Sequence, residues 1–249
     1  MRAAGEVMRT FLGAFQFLTT VPVTARGVTL GRAALFFPLV GALLGLAGAG
    51  FYVALLAVLP TPLAALGVLI FWIVATGGLH EDGLADIADA FGTTRSRTRA
   101  LKILKDSRIG TFGVLALLAF ALVRWQALSA LATLPRESLV AVLVASQAAS
   151  RGAMVALAYT SRPAGEGLGF AFCSTLAWPA ALGAIALGIL AAALCGPRLG
   201  GLIVAGLYLL LRALRAFFYS RIGGVTGDCL GATSQMAETL TLLLGGVLK

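Results

Sequence analysis

The sequence predicts an all-α, polytopic membrane helical bundle of about seven transmembrane helices with a cytoplasmic N-terminus. Three observations carry this. Mean hydropathy is +0.97 and only 12% of residues are charged, far from the soluble range. Seven apolar runs, at about 34–59, 62–79, 112–134, 138–160, 176–195, 199–219 and 229–247, are each long enough to cross hydrocarbon. The basic residues are also lopsided. With the N-terminus inside, fifteen of the nineteen, from Arg2 and Arg9 through the 95–108 group to Arg151, Arg162 and Arg221, fall on the cytoplasmic side. Only Arg136, Arg198 and Lys249 fall outside, and Arg124 sits within a span.

The whole chain, 1–249, reads as one integral-membrane domain, and its elements follow in order. Residues 1–33 form an interfacial or re-entrant segment: "MRTFLGAFQFLTTVPV" (8–23) is apolar but short, and Gln16, Thr19, Thr20 and Pro22 interrupt it. A signal peptide would need a small-residue cleavage site after it, and none follows. "PTP" (60–62) and "LPRE" (134–137) are turns, because proline cannot continue a helix ladder, so they make two helical hairpins. Between the hairpins, residues 77–113 form an acidic and basic cytoplasmic segment. Cys173, Cys195 and Cys229 are widely spaced, without a C-x-x-C, and read as core thiols. The net charge of +9 is accounted for by topology, which makes nucleic acid an unexpected partner. A basic cytoplasmic face attracts anionic membrane lipid and phosphate-bearing substrates.

Chemistry concentrates in "GGLHEDGLADIADA" (77–90). It holds Glu81, Asp82, Asp86 and Asp89, four of the chain's ten acids, with its one histidine, His80. At about 100° per residue, Asp86 lies roughly 40° from Asp82 and Asp89 roughly 20° to the other side, so three carboxylates share a helix face. An ionised Asp at mid-bilayer costs about 2.5–3.5 kcal/mol, so such a face belongs at a water-accessible end or around a cation. Oxygen ligands without thiols suit Mg²⁺ or Mn²⁺, and Mg²⁺ completes its shell with water and substrate phosphates. Asp82, Asp86 and Asp89 are therefore the expected metal ligands, and a phosphate-bearing substrate is implied. The competing reading is a solvated helix start whose acids complement the dipole.

Two other stretches add anion chemistry. "KDSRIGTFG" (105–113) offers Asp106, Ser107, Arg108 and Gly110 at the start of a span, where backbone N–H groups can face an anion and Arg108 can hold a phosphate bidentately. A capped helix with a basic flank explains the same residues. "GGVTGDCLGA" (223–232) aligns without gaps on "GGLHEDGLAD" (77–86), sharing Gly77/Gly223, Gly78/Gly224, Asp82/Asp228 and Leu84/Leu230. Asp228 is thereby expected to approach the same site from the far end of the chain. Glu238, midway along the last span, is a functional or packing-network candidate. Arg124 either snorkels, pairs with an acid, or marks a misplaced span boundary.

These motifs, with "SRGAMVAL" (150–157), "GEGLG" (165–169), "FLTTVPV" (17–23) and "FFPLVGALLGL" (36–46), resemble in order the cobalamin synthase family of adenosylcobinamide-GDP ribazoletransferases. The resemblance runs along essentially the whole chain. It implies a bacterial inner-membrane, multi-pass, Mg²⁺-dependent transferase with its active site facing the cytoplasm. Such an enzyme joins adenosylcobinamide-GDP to α-ribazole or its 5′-phosphate and releases GMP, the last joining step of the vitamin B12 nucleotide loop. On that reading Asp82, Asp86 and Asp89 hold Mg²⁺. Asp228, Asp106 and His80 are candidate bases, and Arg108 and Arg151 candidate phosphate clamps, with Ser107, Gly110 and Thr226 at the substrate. A homo-oligomer is compatible with it. Two alternatives are kept. A CDP-alcohol phosphatidyltransferase would carry D-G-x-x-A-R, but here Asp82-Gly83-Leu84-Ala85-Asp86 lacks the arginine. A secondary transporter would place its acids near the midplane instead of at one face.

Overall fold

The computed structural model describes residues 2–247; the side chains of Arg2 and Ala3 lie outside the description, as does Lys249. The helices are α1 (Arg2–Leu18), α2 (Leu30–Ala33), α3 (Phe37–Leu56), α4 (Thr61–Thr76), α5 (Leu79–Thr93), α6 (Arg97–Ile103), α7 (Thr111–Leu131), α8 (Arg136–Thr160), α9 (Leu168–Thr175), α10 (Trp178–Ala193), α11 (Gly196–Ile222) and α12 (Gly227–Val247). Among the described residues the nearest thing to β-structure is an isolated bridge between Pro163 and Val225.

Proline starts and glycine stops set several boundaries. Pro38, Pro62, Pro179 and Pro197 stand in the first turns of α3, α4, α10 and α11, where the missing N–H costs nothing. Helices α4 and α11 end on Gly77 (φ 65°) and Gly223 (φ 77°), left-handed positions that side chains with a Cβ disfavour. The end of α4 is then sealed from another part of the chain. The Thr20 N–H donates to the Ala75 carbonyl at 2.8 Å and its hydroxyl to the Val74 carbonyl at 3.2 Å, so the second threonine of "FLTTVPV" ties the N-terminal segment to the bend.

Each of the seven expected apolar runs forms a helix: α3, α4, α7, α8, α10, α11 and α12. Four helical stretches are by themselves long and apolar enough to cross a membrane, namely 30–56, α7, α8 and α11. Two bent pairs, α4 with α5 at 92° and α9 with α10 at 100°, bring the number to six. The difference from seven lies in α12, whose Thr233, Ser234, Gln235, Glu238, Thr239 and Thr241 are all buried. Gln235 and Glu238 find partners on α5, α7 and α8 inside the bundle, and the three threonine hydroxyls donate to carbonyls of α12 itself. Helix α8 is the central pillar. Its spanning window is 78% buried against 22% for α7 and α11, and it packs on α3, α10 and α12.

Candidate active site

The two echoed segments meet. After their left-handed glycines, α5 and α12 run together so closely that a Cβ on Gly83 would stand 2.9 Å from the Asp228 carbonyl oxygen. The start of α12 is tied down from the segment that follows α8: Ala164 N–H donates to Val225 O at 2.9 Å, and Val225 N–H to Arg162 O at 3.0 Å. This pins the turn that launches α12. Asp82 and Asp228 consequently line one cavity of about 350 Å³, together with His80, Thr226, Phe17, Phe37 and Phe172. A second cavity of about 460 Å³ opens beside it and shares Phe17, Leu79 and Asp82 with the first; Thr76, Asp86 and Ser107 belong to its wall. Asp82 is thus the carboxylate common to both.

His80 lines the first cavity, is 2% exposed, and neither ring nitrogen has a hydrogen-bond partner. A buried imidazole without partners forfeits hydrogen bonds it would have in water, so its place on a cavity wall marks it for a ligand. Thr226 donates its hydroxyl to Asp228 Oδ2 at 3.2 Å and so orients that carboxylate.

Other sequence-selected residues are placed differently. Asp89 does not share the open face. Its Oδ2 accepts from Gly110 N–H at 2.7 Å and its Oδ1 from Gly113 N–H at 2.8 Å. The anion expected at the start of α7 is therefore the chain's own Asp89, which caps the helix. A Cβ at Gly110 or Gly113 would collide with that carboxylate, which accounts for both glycines of "GTFG" and removes Gly110 as a substrate contact. Helical spacing alone misjudged Asp89, because a neighbouring helix end competes for it.

Asp106 and Arg108 satisfy each other. Arg108 Nε and Nη2 donate to Asp106 Oδ1 and Oδ2 at 3.0 and 2.7 Å, and the Arg108 backbone N–H adds a third bond at 3.2 Å. These bonds from Arg108 hold the exposed Asp106 carboxyl down at about 2, too acidic for a general base near neutrality. Neither residue lines the two cavities, so the expected base and the expected phosphate clamp neutralise each other.

Arg151 is not at a cytoplasmic loop but 1% exposed within α8. Its Nη1 donates to Glu238 Oε2 at 3.1 Å, to Ser150 Oγ at 3.0 Å and to the Gln147 carbonyl at 3.2 Å. Arg124, which sequence alone left unplaced, pairs with an acid. It reaches Glu238 Oε1 through Nη2, and Gln235 Oε1 and Glu81 Oε1 through Nη1 at 2.5 and 3.3 Å. Four helices, α5, α7, α8 and α12, are joined by two guanidinium groups and two carboxylates. The mid-span positions of Arg124 and Glu238 were the signal for this cluster. Glu81 gave none, being hidden among four acids.

The remaining acids have no such partners. None of the ion pairs among the described residues reaches Asp82, Asp86 or Asp228. The negative charges of Asp82, Asp228 and Asp89 all bear on Asp86. Among the described residues no group of three or more His, Cys, Asp or Glu is gathered closely enough to hold a metal. A pair, Asp82 and Asp86, one helical turn apart on a shared cavity wall, suits a hard cation that takes one or two protein carboxylates and fills its shell from water and phosphate.

Against known proteins, the family model described as cobalamin-5-phosphate synthase matches residues 10–246. The adenosylcobinamide-GDP ribazoletransferase of Ralstonia pickettii (strain 12J) is 39% identical over 248 residues, covering 97% of this chain and 96% of that protein. The protein of the same name from Mesorhizobium japonicum is 41% identical over 93% of this chain and 90% of its own length, and that of Escherichia coli (strain K12 / DH10B) 37% identical over 94% and 98%. No solved structure matches. With the family model spanning nearly all of the bundle and relatives aligned end to end, the chain belongs to the cobalamin-5-phosphate synthase family.

Proposed function

We propose that this chain joins adenosylcobinamide-GDP to α-ribazole or its 5′-phosphate, releasing GMP, from the cytoplasmic side of a bacterial inner membrane. The observation that carries the site assignment is Asp82, the one carboxylate shared by two cavities, with Asp86 in one and Asp228 in the other. In the reaction the acceptor's ribose 3′-oxygen bonds to the phosphorus that carries the cobinamide. The bridging P–O bond breaks, and GMP leaves with its electron pair.

Asp82 and Asp86 would hold Mg²⁺, with Mn²⁺ able to replace it. Bound there, the ion would offset the charge of the diphosphate and of the departing GMP. The chain's own residues do the rest. Asp228, oriented by Thr226, takes the hydroxyl proton, and His80 offers a ring nitrogen to the ribose from the same wall. Ser107 stands beside the donor in the second cavity.

Purified protein in lipid nanodiscs, given both substrates and Mg²⁺, tests this. GMP should appear only when donor and acceptor are both present, and chelation should stop it. GMP release from the donor alone at the same rate would make the chain a hydrolase. The same product pattern excludes lipid head-group transfer, which would need a CDP-alcohol donor.

A further inference from the structure

We propose that the two cavities divide the substrates: the first takes the aromatic nucleoside acceptor, its base against the row of Phe17, Phe37 and Phe172, and the second takes the diphosphate of the donor. This rests on the transferase reading above.

Phe37 lies between the other two rings, with centroids 5.6 Å from Phe17 at 14° and 5.6 Å from Phe172 at 20°. All three belong to the wall of the first cavity, with Leu30 and Met154. Phe37 is 0% exposed with a ring over each face, so a further planar ring stacks at the end of the row, on Phe17 or Phe172, and a base has a π-face whatever its substituents. The same wall carries a polar set, His80, Asp82, Thr226 and Asp228 with Lys105 and Glu166, so the cavity offers both kinds of surface a nucleoside needs, an apolar one for the flat base and a polar one for the hydroxyl-bearing sugar. About 350 Å³ is the size of a small-molecule site and too small for a corrinoid. His80, buried with two unpartnered ring nitrogens, supplies an independent sign that something polar completes this wall.

The second cavity lacks the stack. Of the three phenylalanines it holds only Phe17, at its junction with the first, and its own groups are Thr76, Asp86 and Ser107. A diphosphate entering there meets the two carboxylates suited to a cation, while the bulky corrinoid stays outside. The two reacting groups then arrive at Asp82 from opposite sides. Phe17 and Phe172 become specificity-determining residues for the acceptor, and Phe37 between them a positioning residue.

The test separates acceptor KM from donor KM. In nanodisc-embedded enzyme, Phe172→Ala should raise acceptor KM about 5- to 100-fold, the range seen when a stacking ring is removed, and leave donor KM within about twofold. Since Phe172 also packs in the core, the deciding measurement uses the unmodified protein. Ribosides of dimethylbenzimidazole, benzimidazole and imidazole are compared as acceptors. Acceptor KM should climb along that series while donor KM stays flat. GMP release that continues with acceptor KM unchanged along the series, or with donor KM moving equally, overturns the division of the cavities but leaves the transferase reading. No GMP release with any acceptor overturns both.

Discussion

Two sets of acids in this bundle stand side by side on α5 and α12 yet are treated in opposite ways. Glu81 and Glu238 point into the bundle and are met by Arg124, Arg151 and Gln235. Asp82, Asp86 and Asp228, one residue or a few turns away along the same helices, line cavities, and among the described residues no ion pair reaches them. In an interior of low dielectric an unpaired charge is expensive, so the two acids enclosed in the bundle are met by buried arginines. The carboxylates left unneutralised are those that face a space a charged ligand can enter. On the proposed reaction the paired acids are the structural ones and the unpaired acids the chemical ones, a division that position in the sequence does not reveal.

This contrast can be broken from either side. Removing a chemical acid gives the largest effect: Asp82→Asn should reduce GMP release by about 100- to 1,000-fold or more, with unchanged expression and thermal unfolding in detergent. If its turnover stays near that of the unmodified protein, Asp82 is not at the reacting centre. Removing a structural acid should do the reverse first. Glu238→Ala leaves two buried guanidinium groups with Glu81 alone and should cost about 3–5 kcal/mol, seen as a lowered unfolding temperature. Combining it with Arg124→Met and Arg151→Met should recover part of the loss, and full additivity of the three losses would mean that the groups do not act together.

Asp89 sharpens the division, since it lies on α5 with the chemical acids but is spent on backbone. Asp89→Asn keeps one acceptor and places an NH₂ against an N–H, a loss of about 1–3 kcal/mol in stability, while the Mg²⁺ concentration for half-maximal activity should rise only slightly, through the loss of one charge that bears on Asp86. A large rise in that concentration would restore Asp89 to the metal site. The smallest effect is expected at Asp106. Asp106→Asn should leave GMP release within a few-fold. Its carboxyl, held low by Arg108, is ionised in the unmodified protein at every pH above about 2, so it contributes no inflection to the pH–rate profile between pH 5 and 9.

Helix composition, the seven apolar runs and the approach of Asp228 to Asp82 were legible in the sequence because each depends on local pattern or on a repeated motif. Turn glycines carried the last of these: Gly77 and Gly223 stop their helices in the same left-handed way, and the helices launched after them, α5 and α12, are delivered to the same place. The roles of Asp89, Arg108 and Arg151 were not legible, because each is decided by a partner that helical spacing cannot reveal. Asp89 and the amides that claim it are 21 and 24 residues apart, and Arg151 is 87 residues from Glu238. Spacing on one helix says which residues share a face. It does not say what that face meets. The phenylalanine stack was hidden for the same reason, with Phe17, Phe37 and Phe172 drawn from three separate segments.

The span of the buried charge cluster along the chain has a consequence for how the protein is made. Arg124 precedes its partner Glu238 by 114 residues, and Arg151 precedes it by 87. On a chain synthesised from its N-terminus, both arginines enter the membrane while the last helix is still to come. In that interval Glu81, 43 residues before Arg124, is the one carboxylate of the cluster already present. Helix α12 therefore acts as the closing piece of assembly: a ribosome that stops before it leaves two cations and one anion inside the bilayer.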